Sequence, residues 1–393
     1  MIYNKICIIG GGGHVGLPLG LMLAKKNYEI FLLEKNKKLI NLIKKKKYPY
    51  KEIYGQKYLD EICEKKKLNI SSKISDIKHY NVLIICIGTP IKKNLKPDIK
   101  YFLDIFFKIK KFINKDHHII IRSSVYPKII DKIRNVLKTN NISYCPERIV
   151  QGESLIELTK LPQIVAGYNK ETIKLSSKIF KKITKKIIFC SMLEAEFIKL
   201  FTNAYRYIHF SIANQFYLIC KTYNINFFKL RKKMMLNYSR MQSFPSSGIT
   251  AGPCLLKDTM QLNSFSKEKF LLGKAAMRIN DNLPIHIYKN LKKKIDIKNK
   301  IVGILGLSFK AESDDIRDSV SIKFIEYLKK KKIKYLSSDP YYKNNKVQTV
   351  NHVIKNSDII FLLTPHKQYK NIFIPENKIY INVWNSNKKI KFI

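Results

Sequence analysis

Apolar residues in the first third of the chain fall in short unbroken runs. Residues 5–9, 29–33, 82–87 and 118–121 are each four to six long and read as strands buried on both faces. Residues 17–26 between the first two runs have helical spacing. The later runs break at Gly88-Thr89-Pro90 and at Ser123-Ser124-Val125-Tyr126-Pro127. Strands alternating with amphipathic helices predict a parallel sheet covered on both faces. From 192 to 223 the pattern changes to one long helical run without Gly or Pro. It is too long for a simple crossover and reads as a spine between domains or between subunits. Helical segments continue to about 282, interrupted by a turn region from Pro245 to Pro253. After a lysine-rich stretch, 289–300, a second α/β pattern begins. It has strands at 300–305, 333–337, 358–364 and 378–383 and a helix at 319–330.

Composition narrows the classes. The 393 residues are 45% hydrophobic and 26% charged, which suits a globular protein with a real core and excludes a disulfide scaffold or a disordered chain. No run approaches a membrane span, and the opening residues lack the pattern of a secretory leader. A cytoplasmic protein is expected. Lys+Arg 75 against Asp+Glu 29 gives a net charge of +46, which raises a nucleic-acid partner. The lysines, however, are spread in short runs along the whole chain, as drift in composition would leave them. We therefore expect no nucleic-acid and no membrane partner. Seven cysteines with no CxxC pair suggest reduced thiols, and no cluster of ligands suggests a metal.

After the first strand comes Gly11-Gly12-Gly13-His14-Val15-Gly16, a G-x-G-x-x-G pattern set between a strand and a helix. Its first glycine serves a tight turn, the second lets backbone approach a pyrophosphate, and the third packs helix on strand. Glu34 ends the next strand, 18 residues after Gly16. A carboxylate there accepts from ribose hydroxyls and repels a 2′-phosphate, which favours NAD over NADP. The expected fold is thus α/β, with two Rossmann-like doubly wound parallel-sheet domains joined by a long central helix and a helical middle domain. The boundaries read as 1–190, 191–288 and 289–393.

Three further groups carry chemistry. Cys254 lies in a glycine-flanked turn with Asp258 four residues on, on the same face of a helix that starts there. A thiol can attack an aldehyde, and the carboxylate can position water. Lys199 and Asn203 share a face of the long helix, beside an apolar stripe of Phe197 and Phe201, and make an oxyanion clamp. Cys145-Pro146-Glu147-Arg148 follows a strand end, where Glu147 and Arg148 can face a cleft. Singly, each is commoner as a packing residue, helix surface or loop.

Together, in order, these pieces resemble the UDP-glucose/GDP-mannose dehydrogenase family, over essentially the full length. The set also includes Gly88-Thr89-Pro90, Ser123-Ser124-Val125, Gly306 to Lys310, Asp314-Asp315-Ile316-Arg317-Asp318-Ser319 and Asp339-Pro340-Tyr341. The resemblance implies a four-electron oxidation of a sugar C6 alcohol to a carboxylate with two NAD. It makes Cys254 the nucleophile through a thiohemiacetal and a thioester. Lys199 and Asn203 would hold the oxyanion, and Asp258 would assist water and hold Lys199. Glu147 and Ser124 would flank the catalytic water. Thr89, Ser124 and Arg317 join the cofactor set. Glu147, Arg148, Lys199, Asn203, Arg240, Gly248 and Lys310 form the set for a UDP-sugar. The resemblance further implies a homodimer through the long helix, with 1–190 binding NAD, 191–288 carrying the dimer helix and Cys254, and 289–393 binding the UDP-sugar.

Some positions depart from the family pattern. Ala251-Gly252-Pro253 precedes the cysteine where Gly-Gly-Ser or Gly-Gly-His is usual, Ser124 replaces a threonine, and Tyr126 and Lys128 replace small or Pro/Gly residues. The segment from Cys145 to Gly152, and Arg240 fourteen residues before Cys254, resemble the branch that oxidises UDP-N-acetylhexosamines (ManNAc or GlcNAc). Lys257-Asp258 resembles the UDP-glucose and GDP-mannose enzymes, which leaves UDP-glucose as the second reading. A single-step 3-hydroxyacid or 6-phosphogluconate type dehydrogenase would leave Cys254 and the second α/β pattern without a role. A polyanion-binding protein on a retired scaffold would not need Cys254, Lys199, Asn203 and Asp258 together.

Overall fold

The unbroken apolar runs become the inner strands of an eight-stranded sheet. The strands are β1 (Lys5–Ile9), β2 (Glu29–Leu33), β3 (Leu68–Ser71), β4 (Val82–Ile85), β5 (His118–Ile121), β6 (Ile142–Tyr144), β7 (Gln163–Gly167) and β8 (Ile187–Phe189). Their order is β3-β2-β1-β4-β5-β6-β7-β8. The structure, a computed structural model, describes residues 4–92, 94–250, 252–267, 269–297 and 299–384. Ala251 of the cysteine loop, like the first three residues, lies outside the described residues.

Alternation on these strands feeds two cores. Ile6, Ile8, Ile30, Leu32, Val82 and Ile84 pack on one face with Leu17 and Leu21 of the helix Gly16–Lys25 and with Ile179 and Phe180 of Lys170–Lys181. Cys7, Ile9, Phe31, Leu33, Leu83 and Ile85 pack on the other with Phe102, Phe106, Ile130 and Ile133. Both faces are covered, as a doubly wound sheet requires. One pairing departs from the expected parallel pattern: β7 runs antiparallel to β6, with Ser143 opposite Gly167. β7 and β8 were also invisible to the periodicity, since Gln163 and Gly167 leave β7 only three apolar residues and β8 is itself only three residues long.

The second sheet holds β9 (Val302–Leu305), β10 (Tyr335–Ser338), β11 (Ile359–Leu362) and β12 (Ile379–Asn382), all parallel, in the order β10-β9-β11-β12. Val302, Ile304, Ile359 and Phe361 meet Phe324 and Leu328 of the helix Val320–Lys330. Leu305, Ile360 and Leu362 meet Val353 and Ile354 on the opposite face.

The long helix runs from Met192 to Thr222. A later helix runs from Leu271 to Lys294, well beyond the expected end near 282, and passes through Pro284. Apolar spacing explains the extension, because Leu283, Pro284 and Tyr288 are all buried and their packing outweighs one lost backbone bond. The lysines at 292–294 then sit at the helix C-terminus, where the backbone dipole favours cations. The chain divides into two compact units. One ends at Thr202 and also takes in Met260–Phe265, while the other takes in Asn203–Thr259 and the described residues from Ser266 on.

Candidate active site

In the first unit β1 and β4 are neighbours whose crossovers leave in opposite directions, and the crevice at their carboxyl ends is where such sheets take ligands. Gly10 makes the turn out of β1 at φ +79°, and a Cβ on it would stand 2.8 Å from the Cys86 carbonyl. This glycine lies just ahead of the motif and was not singled out. A Cβ on Gly16 would meet the Gly10 oxygen at 2.4 Å, so strand and helix close on each other only because Gly16 has none. A Cβ on Gly13 would find room, with its nearest neighbour, the Gly10 oxygen, at 3.4 Å. Glu34 accepts from the Gly12 N–H at 3.2 Å and from Asn36 N–H at 2.9 Å. Tyr50 donates to the Gly12 carbonyl at 2.9 Å, and its ring lies 3.7 Å from that of His14, which Gln151 also touches. Val15 immediately precedes the helix and is its N-cap. The turn, the close packing, the open second glycine and the carboxylate fit a dinucleotide with free ribose hydroxyls. On the rim, Thr89 Oγ1 donates to the Ser124 carbonyl at 2.6 Å.

Glu147 follows β6. Its Oε1 accepts from Arg148 N–H at 2.6 Å and Ile149 N–H at 2.8 Å, and its Oε2 is ion-paired with Arg122. Arg148 turns its guanidinium to the Pro162 carbonyl. Lys199 is buried one turn before Asn203 on the long helix.

In the second unit Cys254 is the one exposed thiol of the seven. Burial pushes the Cys86 and Cys145 thiols up to about 12, which makes them unreactive. The Cys254 carbonyl accepts from Asp258 N–H at 3.0 Å, the first helical bond of Leu255–Phe265. Cys254 therefore stands at a helix N-terminus, where unpaired N–H groups face developing negative charge. One turn in, the buried Asp258 carboxylate takes Asn203 Nδ2–H at 2.6 Å, with the Lys257 ammonium at 3.3 Å. A carboxylate without solvent needs such a countercharge, and Lys257 was not among the residues expected to supply one.

The loop leading to Cys254 is held by buried amides. Gly248 N–H donates to Asn214 Oδ1 and its carbonyl accepts from Asn214 Nδ2, both at 2.9 Å. Asn280 extends the network, taking Asn214 Nδ2–H at 2.9 Å and donating to the Tyr207 carbonyl at 3.1 Å. A Cβ on Gly248 would strike the Trp384 ring at 2.3 Å, so glycine is required there. Gly252, at φ +104°, donates to the Asp318 carbonyl at 3.3 Å, and its Cα is seated against the Phe309 ring. Neither Asn214 nor Asn280 had a local signal, since their partners lie 34 and 66 residues away.

The segment after β9 forms a second turn. Gly306 has φ +89°, and a Cβ there would stand 2.4 Å from Thr364. Asp339, just past β10, accepts from Leu307 N–H (2.7 Å), Ser308 N–H (3.1 Å), Tyr341 N–H (2.8 Å) and Tyr342 N–H (2.9 Å). Burial opposes its charge, but His366 and these N–H groups hold the carboxyl well below the usual range. His366 Nδ1 accepts from Glu312 N–H, which leaves Nε2–H to donate toward Asp339. Arg317 is bidentate on Asp315, Lys310 is half-buried on the loop, and Arg240 is exposed on a short 3₁₀ turn.

A glycine turn of this geometry on a sheet whose first six strands run 3-2-1-4-5-6 defines a dinucleotide-binding protein. A second parallel sheet and an exposed thiol on a helix N-terminus accompany it. The chain belongs to the UDP-glucose/GDP-mannose dehydrogenase family: it matches that family's NAD-binding domain over residues 4–186, its central domain over 193–282 and its UDP-binding domain over 303–388. It is 29% identical over 380 residues to a UDP-N-acetyl-D-mannosamine dehydrogenase of Methanococcus vannielii, covering 93% of this chain and 87% of that one. It is 27% identical to a UDP-glucose 6-dehydrogenase of Rickettsia bellii, covering 90% and 84%. The solved UDP-D-ManNAc dehydrogenase of Pyrococcus horikoshii superposes with a TM-score of 0.84 at 26% identity, covering 94% and 91%. The protein is an NAD-dependent nucleotide-sugar dehydrogenase with a UDP-binding domain. Among the described residues no helix is long and apolar enough to cross a membrane.

Proposed function

We propose that this enzyme oxidises the C6 alcohol of a UDP-N-acetylhexosamine, ManNAc or GlcNAc, to the uronic acid. The observation that carries the chemistry is the exposed Cys254 thiol at a helix N-terminus, one turn from a buried Asp258 tied to Asn203. NAD, which the glycine turn and Glu34 would hold, would supply the hydride acceptor for both oxidations, so that one alcohol, two NAD and one water would give one carboxylate, two NADH and three protons. Cys254 attacks the aldehyde carbon and keeps that reactive species on the protein between the two oxidations. Lys199 and Asn203 steady the oxygen that gains charge, while Asp258 aids the water that breaks the thioester and frees the thiolate. Glu147 and Ser124 orient that water, and Arg148, Arg240, Gly248 and Lys310 hold the sugar nucleotide. Gly11, Gly13, His14, Val15, Gly16, Glu34, Thr89 and Arg317 serve the cofactor. Residues 1–190 carry NAD, 191–288 the nucleophile and 289–393 the UDP group. A free reactive thiol suits a reducing compartment, and we assign the enzyme to the cytoplasm.

The position of Arg240 and the relatives that act on UDP-N-acetyl-D-mannosamine support the acetylated sugar. Lys257 beside Asp258 and the Rickettsia relative favour UDP-glucose as the second reading. A homodimer fits the long helix. Phe201, Tyr205, Ile212, Phe216, Ile219 and Tyr223 are exposed at spacings of three, four and seven, one stripe that a second copy would cover.

The test is NADH formed per sugar consumed on UDP-N-acetylmannosamine, UDP-N-acetylglucosamine, UDP-glucose and GDP-mannose, with Cys254→Ala alongside. Two NADH per sugar and a loss of uronate formation of about a thousandfold in the variant are expected. One NADH per sugar, or a variant that makes uronate at the wild-type rate, would sink the thioester reading. The preferred sugar decides the branch.

A further inference from the structure

Arg122 leads the fully buried side chains in size, at 1% exposure. A guanidinium does not shed its proton in a protein, so this charge needs a permanent counter-anion. The acidic group paired with it is Glu147, through Nη2 and Oε2. Nη1 donates to Gln163 Oε1 at 2.8 Å and to the Cys145 carbonyl at 3.2 Å, and Cζ lies 4.9 Å from the centroid of the Phe180 ring. Gln163 is itself anchored, donating to the Ile164 carbonyl at 2.8 Å and the Pro146 carbonyl at 3.3 Å. The other carboxylate oxygen holds the Arg148 and Ile149 N–H groups. Both oxygens of Glu147 are thus tied down, and rotation about its last bond is blocked. Arg122 follows β5 and Glu147 follows β6, so neighbouring strands present the pair at the carboxyl end of the sheet.

We propose that Arg122 is a positioning residue that locks the Glu147 carboxylate in one orientation for the hydrolytic half of the reaction. The inference rests on the proposed role of Glu147 beside the attacking water. With its angle set by Arg122, Glu147 orients water by accepting a hydrogen bond. Without the guanidinium, Glu147 Oε2 loses that partner and the carboxylate is held through Oε1 alone.

The test compares wild type, Arg122→Lys, Arg122→Met and Glu147→Gln as full-length enzymes saturated with NAD and the preferred sugar. It reads the pre-steady-state NADH burst, steady-state kcat and KM, and thermal melting. In Arg122→Met the first NADH is expected to form at close to the wild-type rate. Its kcat is expected to fall tenfold or more, roughly the loss of one charged positioning contact, with the KM for the sugar within about twofold of wild type. Arg122→Lys should restore much of the rate. A wild-type kcat in Arg122→Met would overturn the proposal. Should that variant fail to fold, an equal fall in the first-NADH rate and in kcat in Arg122→Lys would do so. Wild-type turnover in Glu147→Gln would instead remove the role of Glu147 itself, and this inference with it.

Discussion

Glu34 is a single side chain that braces the glycine turn from the neighbouring strand. Its carboxylate braces Gly12 and Asn36, yet each oxygen has a second lone pair to offer a ribose diol. Glu34→Ala is expected to raise the KM for NAD about tenfold, in line with the loss of charged hydrogen bonds, and to narrow the preference for NAD over NADP. Initial rates with both cofactors measure this. An unchanged ratio of kcat/KM values would mean that selectivity resides elsewhere. At this scale the sequence was legible where chemistry follows local spacing. Gly11, Gly13 and Gly16 surround a turn, and Asp258 lies one helical turn from Cys254. It was mute where the partner is distant in the chain. Arg122 and Glu147 are separated by 25 residues and Tyr50 and Gly12 by 38, and no periodicity links them. Gly10 escaped because any glycine run offers several registers of the same motif.

At the scale of elements, Glu196 of the long helix caps a different helix. Its carboxylate accepts from Lys128 N–H at 2.8 Å, and Lys128 immediately precedes the helix Ile129–Leu137. Burial pushes the Glu196 carboxyl up to about 7, against the opposing pull of the backbone donors. The folded protein therefore binds this proton more tightly than the unfolded chain. The resulting stability is complete below the unfolded value, near 4.5, and is lost as pH rises to about 7. It amounts to at most about 3 kcal/mol. Glu196→Gln retains an acceptor for Lys128 N–H and should flatten that part of the profile, as denaturant melts at pH 5 and pH 8 would show. Equal slopes in the two proteins would refute the assignment. Element by element, the strands buried on both faces were legible because nothing but a core accommodates such runs. The end of the helix Leu271–Lys294 was not, because Pro284 is a local stop signal that burial of Leu283 and Tyr288 overrides.

For the whole molecule, the exposed stripe on the long helix makes association a testable expectation. Phe216→Asp with Ile219→Asp would place charges in that stripe, and sedimentation should show a monomer where a dimer is expected for the wild type. A wild-type monomer at micromolar concentration would dispose of the idea. The two sheets also share a plan: a glycine turn after the first strand and an acid after the second. They use it differently. Glu34 braces one loop amide, whereas Asp339 is saturated by four backbone N–H groups and a histidine. The second turn thus surrenders its conformational entropy when the chain folds, and a nucleotide docking there meets a rigid template.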